Sequence, residues 1–415
     1  MFYKNIFTMK VLLLNCVYIQ GSTGKIVVDT REYLIRNGID TFVGYGNFLS
    51  EKTEKVFKFG TKWETKLFSI LSKLGYAQYA SSPVATYRLL HYIDEVCPDI
   101  VHLHCMNGYC VNLFSLLEYL AAKKIKTVVT HHAEFYYTGN CGHAYDCNGY
   151  SHQKCRKCPT PKQATNTKTF ICPSHYSWKR MYNAFRSFDK NNLVFTAVSP
   201  WVKLRSSQSP IVNKFDCHVV NNGLETSVFH RRQTSTFTAI KEGYQFSVLH
   251  VTAAFIPQDK DNIKGGYYVV EIAKRMPNVK FIIAASYVKV DTQLPDNILV
   301  YGSVSDQDKL AELYSVCDTT LLTSKRETFS MVTAESLCCG TPVVGFKAGG
   351  PETIALDKYS RFVEYGDIAS LEKVLSEVLK TKYDHEIMSQ EAQSVYSKER
   401  MASEFLNIYN DLYNK

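Results

Sequence analysis

Glu327 and Glu335 bracket the stretch of this 415-residue chain that carries the most chemistry. Glu327 lies in a turn after an apolar run, and Glu335 lies in a short helix that Ser330 opens and Gly340 stops, before the apolar run Val343 to Phe346. The free N–H groups at a helix start attract anions, so Ser330, Met331 and Val332 are placed to receive a diphosphate. By spacing alone, the two carboxylates also suit an ordinary solvated helix. Gly21-Ser22-Thr23-Gly24 sits between a strand and a helix, where Gly21 and Gly24 let backbone approach a phosphate or sugar; a plain turn fits as well. His131 and His132 follow the strand Thr127 to Thr130, as ligand-binding imidazoles or as core residues. Four thiols, Cys141, Cys147, Cys155 and Cys158, could hold a structural zinc, and Cys155-x2-Cys158 has the spacing of a ligand pair.

Positioning these groups requires alternating strands and helices. Lys10 to Asn15 reads as a buried strand, Lys25 to Asn37 as a helix stopped by Gly38, and Thr41 to Tyr45, Ile100 to Leu103, Thr127 to Thr130 and Val194 to Val198 as further strands. A second series comprises Phe246 to Val251, Val279 to Ala285, Ile298 to Tyr301, Thr319 to Thr323 and Val343 to Phe346, with helical patterns between them. The fold class is α/β, with two doubly wound parallel sheets and a helical tail from Tyr383 to Lys415. Ligands of such sheets bind beyond the carboxyl ends of the strands, and two sheets facing each other would form a cleft. Lys55 to Leu74 mixes lysines with Trp63, Leu67, Phe68, Leu71 and Leu74. It could meet anionic lipid, but the pattern favours a helix with one solvated basic face and one core face.

The composition, 45% hydrophobic and 21% charged, suits two or three packed domains and argues against disorder. A formal charge of +9 suits phosphorylated ligands or an anionic membrane face, and no compact basic run points to nucleic acid. Thirteen cysteines in a long chain fit a reducing, cytoplasmic setting better than a disulfide framework. Lys10 and the run Val11 to Ile19 imitate a signal peptide, but Asn15 and Gln20 interrupt the run. Met9 would make a natural start, with residues 1–8 as an extension outside the fold.

The segment Glu327 to Glu352 resembles the E-x7-E signature of retaining GT-B glycosyltransferases of family 4, with Ser330 where a glycine is usual and Gly340-Thr-Pro-Val-Val and Gly349-Gly350 following. Asn221-Asn222-Gly223-Leu224-Glu225 with Phe229 resembles the family's domain junction. Lys264-Gly265 resembles its basic residue at a helix start. The family's neighbouring arginine is missing from His250 to Ile263, where Lys260 could substitute, and Ala133 stands where the family has an Asp after His132. The cysteine-rich insert after Thr138-Gly139, and Leu103 to Tyr109, are similar to the colanic-acid and exopolysaccharide type.

This resemblance implies two facing Rossmann-like domains. Residues 1–223 would be acceptor-binding with an insert at 139–160, 224–390 would bind the nucleotide sugar, and a helix at 391–415 would cross back to the first domain. It implies sugar transfer with retention from a UDP- or GDP-sugar to a glycan or lipid-linked acceptor in bacterial cell-surface polysaccharide synthesis, at the inner face of the membrane and without a catalytic metal. Glu335 would hold the ribose hydroxyls, Glu327 and His132 would contact the donor sugar, Lys264 would neutralise the departing diphosphate, and Gly24 would face that diphosphate. The alternatives are an epimerase of the same fold or a non-catalytic sugar-binding protein.

Overall fold

The computed structural model describes residues 9–47, 53–152, 154–156, 158, 172–233, 237–241 and 243–415. The proposed extension at residues 1–8 and part of the insert at 139–160 lie outside them. The chain divides into two compact units, one of residues 1–221 and 401–415, the other of residues 222–400.

The first unit is built on strands β1 (Lys10–Val17), β2 (Asp40–Asn47), β3 (Val56–Lys58), β4 (Ile100–Leu103), β5 (Lys126–His131), β6 (Leu193–Ala197) and β7 (Cys217–Val219). They pair in parallel in the order β3-β2-β1-β4-β5-β6-β7. The β1 run is buried almost throughout because helices cover both faces of a parallel sheet. On one face Val11 and Leu13 pack with Ile26, Val27 and Leu34 of the helix Gly21–Arg36 and with Phe405 and Tyr409 of the helix Lys398–Tyr413. That helix starts in the second unit, and its residues from Met401 onward belong to the first.

The second unit holds β8 (Phe246–Phe255), β9 (Val279–Val288), β10 (Ile298–Gly302), β11 (Thr319–Leu322), β12 (Val343–Phe346) and β13 (Ser360–Val363), all parallel, in the order β10-β9-β8-β11-β12-β13. Strand order reverses between β1 and β4 in one unit and between β8 and β11 in the other. These are the switch points where loops diverge and leave room for a ligand.

Three sequence expectations change. The stretch Gly21 to Gly24 is the first turn of the helix and not a separate loop, and a Cβ at Gly24 would stand 3.2 Å from the Ile19 backbone, a tight approach that favours glycine there. The helical tail is two helices, His385–Tyr396 and Lys398–Tyr413, broken where Leu224 donates to Tyr396 O and accepts from Lys398 N. The helix Lys62–Lys73 turns its apolar residues inward only in part: Phe68 and Leu71 are half-buried, whereas Trp63, Leu67 and Leu74 are exposed and Glu64 is buried.

Candidate functional site

In the second unit, the segment after β8 and the segment after β11 converge on one ion pair. Lys264 Nζ donates to Glu327 Oε1 at 2.8 Å, with each side chain about a quarter exposed. The backbone holds both partners. Lys325 N donates to Ile263 O, Thr323 Oγ1 donates to Lys264 O, and Gly265, at φ +71, packs so closely on Thr323 that a Cβ would collide with its carbonyl oxygen. Glu327 is fixed in turn by Glu327 N donating to Ala348 O and Gly350 N donating to Glu327 O. The Gly349-Gly350 pair therefore serves backbone packing, since a Cβ at Gly350 would strike the Thr328 carbonyl.

The helix Met331–Cys338 follows directly. Its N-cap, Ser330, sits at φ +86 where glycine is favoured, and its hydroxyl compensates by accepting from Thr333 N at 3.2 Å. Met331 and Val332 occupy the first turn, and Glu335 Oε2 accepts from the Tyr314 hydroxyl at 3.0 Å. Burial and the Glu335 charge hold the Tyr314 hydroxyl far above its ordinary range, so it is a permanent donor. Glu352 receives the Ala348 and Gly349 amides, and burial pushes its carboxyl up although those amides pull it down. Lys260 lies over the Tyr267 ring; Arg326, adjacent to Glu327 in sequence, is the second cation here and acts on Glu352.

In the first unit, the carboxyl ends of β1, β4 and β5 gather uncharged groups. Buried Asn15 ties β1 to β4 by accepting from Cys105 N at 2.9 Å, and it reaches Thr23 in the helix start behind Gly21. His132 follows β5 and lies 3.1 Å, Nε2 to Nδ1, from His104 after β4. Behind them, the His102 ring lies tilted against His104, 3.9 Å between centroids, and bonds Tyr409 and Thr130 at 2.6 and 2.7 Å. Burial lowers all four histidines, with His131 and His132 at about 3, so each is a neutral imidazole at neutral pH. One hydrogen is shared between His104 and His132.

The cysteine insert carries the four thiols read from the sequence as zinc ligands. Cys141, Cys147, Cys155 and Cys158 influence one another electrostatically, but among the described residues no three His, Cys, Asp or Glu side chains are arranged to hold a metal ion. Cys155 donates to Thr138 O and Cys147 accepts from Gly149 N, so these sulfurs find partners within the loop. Burial pushes the Cys155 thiol up to about 12, which keeps it protonated. The insert is held by buried Glu134, which accepts from Arg205 at 2.7 Å, Tyr137 at 2.7 Å and Ala144 N at 2.6 Å.

Sequence reasoning missed Asn15, Tyr314, Glu352 and Tyr409. Glu352 could have been found, since a carboxylate two residues past a Gly-Gly pair can turn back onto its amides. Tyr409 carries no local signal for a partner 307 positions away.

Residues 271–395 match the family model described as Glycosyl transferases group 1. The chain is 20% identical to the putative colanic acid biosynthesis glycosyl transferase WcaC of Escherichia coli over 97% of this chain and all of that one. It is 28% identical to the N-acetyl-alpha-D-glucosaminyl L-malate synthase of Bacillus anthracis over 53% of its own length, spanning 60% of that relative. Among solved structures it is similar to sucrose-phosphate synthase of Thermosynechococcus elongatus (TM-score 0.67, 14% identity, 98% and 99% of the two chains). It is also similar to Anabaena Alr3699/HepE solved with UDP (TM-score 0.64, 15% identity, 97% and 100%). The two parallel Rossmann-like sheets have the GT-B fold of these structures, and Glu327 and Glu335 lie inside the segment that matches the family model.

Proposed function

We propose that the protein transfers a sugar from a UDP- or GDP-sugar to a hydroxyl of a glycan or lipid-linked acceptor, with retention, in the cytoplasm, as a step of bacterial cell-surface polysaccharide synthesis. The observation that carries this reading is the Lys264–Glu327 pair just beyond the carboxyl ends of β8 and β11, at the switch point where an α/β sheet binds its ligand. In this reading the second unit takes the nucleotide sugar and the first unit the acceptor. The name of the WcaC relative and the UDP bound to the HepE relative support the same assignment.

Lys264 would turn from Glu327 toward the diphosphate, where a fixed cation stabilises the charge that develops on the leaving oxygen. The amides of Ser330, Met331 and Val332 would receive the phosphates, and in the first unit Gly21 and Gly24 would leave room for a phosphate or sugar at the helix start. Glu335, oriented by Tyr314, would hold the ribose hydroxyls. The donor C1–O bond breaks as the acceptor oxygen bonds to C1 on the same face, and the acceptor proton passes to the departing phosphate oxygen. No side chain has to titrate, which suits His132: a neutral imidazole binds a sugar hydroxyl without adding charge. The spacing rules for glycosidase carboxylates do not apply to Glu327 and Glu335.

The test is incubation with UDP- and GDP-sugars and a lipid-linked acceptor, with NMR of the product's anomeric centre. A new glycosidic bond of the donor's configuration is expected. Donor epimerisation without transfer, or donor binding without turnover across donors and acceptors, would overturn the reading.

A further inference from the structure

Of the four histidines at the carboxyl ends of β4 and β5, one reaches the surface. His132 is 9% exposed, whereas His102, His104 and His131 are fully buried. His104 lies directly behind His132: the two rings are 24° from parallel with centroids 5.3 Å apart, and His104 Nδ1 stands 3.1 Å from His132 Nε2. His104 is itself firmly held. Its amide donates to Leu14 O at 2.8 Å and its carbonyl accepts from the Tyr136 hydroxyl at 2.8 Å. The His102 and Phe405 rings lie against its imidazole, 3.9 and 6.0 Å between centroids.

Two neutral imidazoles carry one ring hydrogen each, and the bond between them uses one. With that hydrogen on His104 Nδ1, His132 Nε2 accepts, and His132 Nδ1 carries its own ring's hydrogen as a donor. With it on His132 Nε2, His132 Nδ1 is a bare acceptor. Either way the tautomer of the surface imidazole is tied to that of the buried one, and the ring cannot flip without breaking the bond. We propose that His104 is a positioning residue, which fixes the orientation and tautomer of His132 so that a sugar hydroxyl meets one defined partner instead of a mixture. This rests on the reading in which His132 contacts the donor sugar, and deepens it. A contact beside the reacting carbon has to hold its geometry closely, so loosening it costs turnover more than donor affinity.

The test has two arms, and the first uses the full chain without donor or acceptor. NMR of isotope-labelled histidine rings reports which nitrogen of His132 carries hydrogen, the signals being assigned by their loss in His132→Gln. One His132 tautomer is expected to predominate at neutral pH in the wild type and in His104→Asn, whose amide can hold the same bond. A mixture is expected in His104→Phe, which fills the space without a polar atom, and in His104→Leu, which serves should the larger ring not be accommodated. An unchanged tautomer balance in these two variants would overturn the proposal. In the second arm, kcat for His104→Phe should fall about tenfold to a hundredfold with the donor KM within about twofold, and His104→Asn should recover most of the rate. The double variant His104→Phe/His132→Gln should be no slower than His132→Gln alone, since His104 acts only through His132. Additive losses, or a raised donor KM at unchanged kcat, would overturn the proposal. Because the NMR arm needs no substrate, failure of the positioning and failure of the transferase reading are seen separately.

Discussion

The two units share one strand order over six strands, with a seventh at the edge of the first, but furnish their switch points with opposite chemistry. Beyond β8 and β11 stands a partly exposed ion pair, Lys264 with Glu327, held by backbone on both sides. Beyond β1, β4 and β5 stands a buried, uncharged cluster of Asn15, His104 and His132. The same topology thus offers fixed charge in one unit and neutral hydrogen bonding in the other. What a switch point can do is decided by the side chains set there and by their burial.

The largest effect should come from removing the charge. Lys264→Ala is expected to slow transfer by about 10²–10³-fold, since it removes the cation and leaves Glu327 unpaired, whereas Lys264→Arg should retain part of the rate. Single-turnover kinetics with saturating donor would show this, and wild-type rates for Lys264→Ala would erase the distinction between the units. Glu335→Ala should instead raise the donor Kd with a smaller change in rate, as isothermal titration would reveal.

Acid separates the units next. Unfolded histidines titrate near 6.5, and His131 and His132 do so at about 3 when folded, so between these values the unfolded chain binds more protons. Stability contributed by the buried neutral imidazoles is complete above about pH 6.5 and is lost as pH falls toward 3, with a slope of up to about 1.4 kcal/mol per pH unit per histidine. The first unit has four such histidines, and in the second His250 is lowered to about 4. Hydrogen exchange from pH 7 to pH 4 should therefore show the first unit loosening at the higher pH.

Backbone substitutions come last. Gly265→Ala should cost about 1–3 kcal/mol by thermal melt, because φ is positive and the Thr323 carbonyl blocks a Cβ. Ser330→Gly should change stability by less than about 1 kcal/mol, since relief of a positive φ offsets the lost cap on Thr333.

Much of this was legible in the chain itself. The apolar runs, their punctuation by glycine and their alternation with helical patterns pointed to two parallel α/β sheets, because short runs such as Val11 to Leu14 or Val343 to Phe346 suit strands buried on both faces. The Glu327 to Glu352 segment marked the second unit's site because its residues lie close in sequence. The tertiary structure decided whatever depended on distant contacts. Tyr409 reaching His102, Lys264 finding Glu327, and Trp63, Leu67, Ile70 and Leu74 facing outward all join or expose residues that periodicity cannot place. A helical repeat shows that a face is apolar, and only the packing of the rest of the chain determines whether that face is covered.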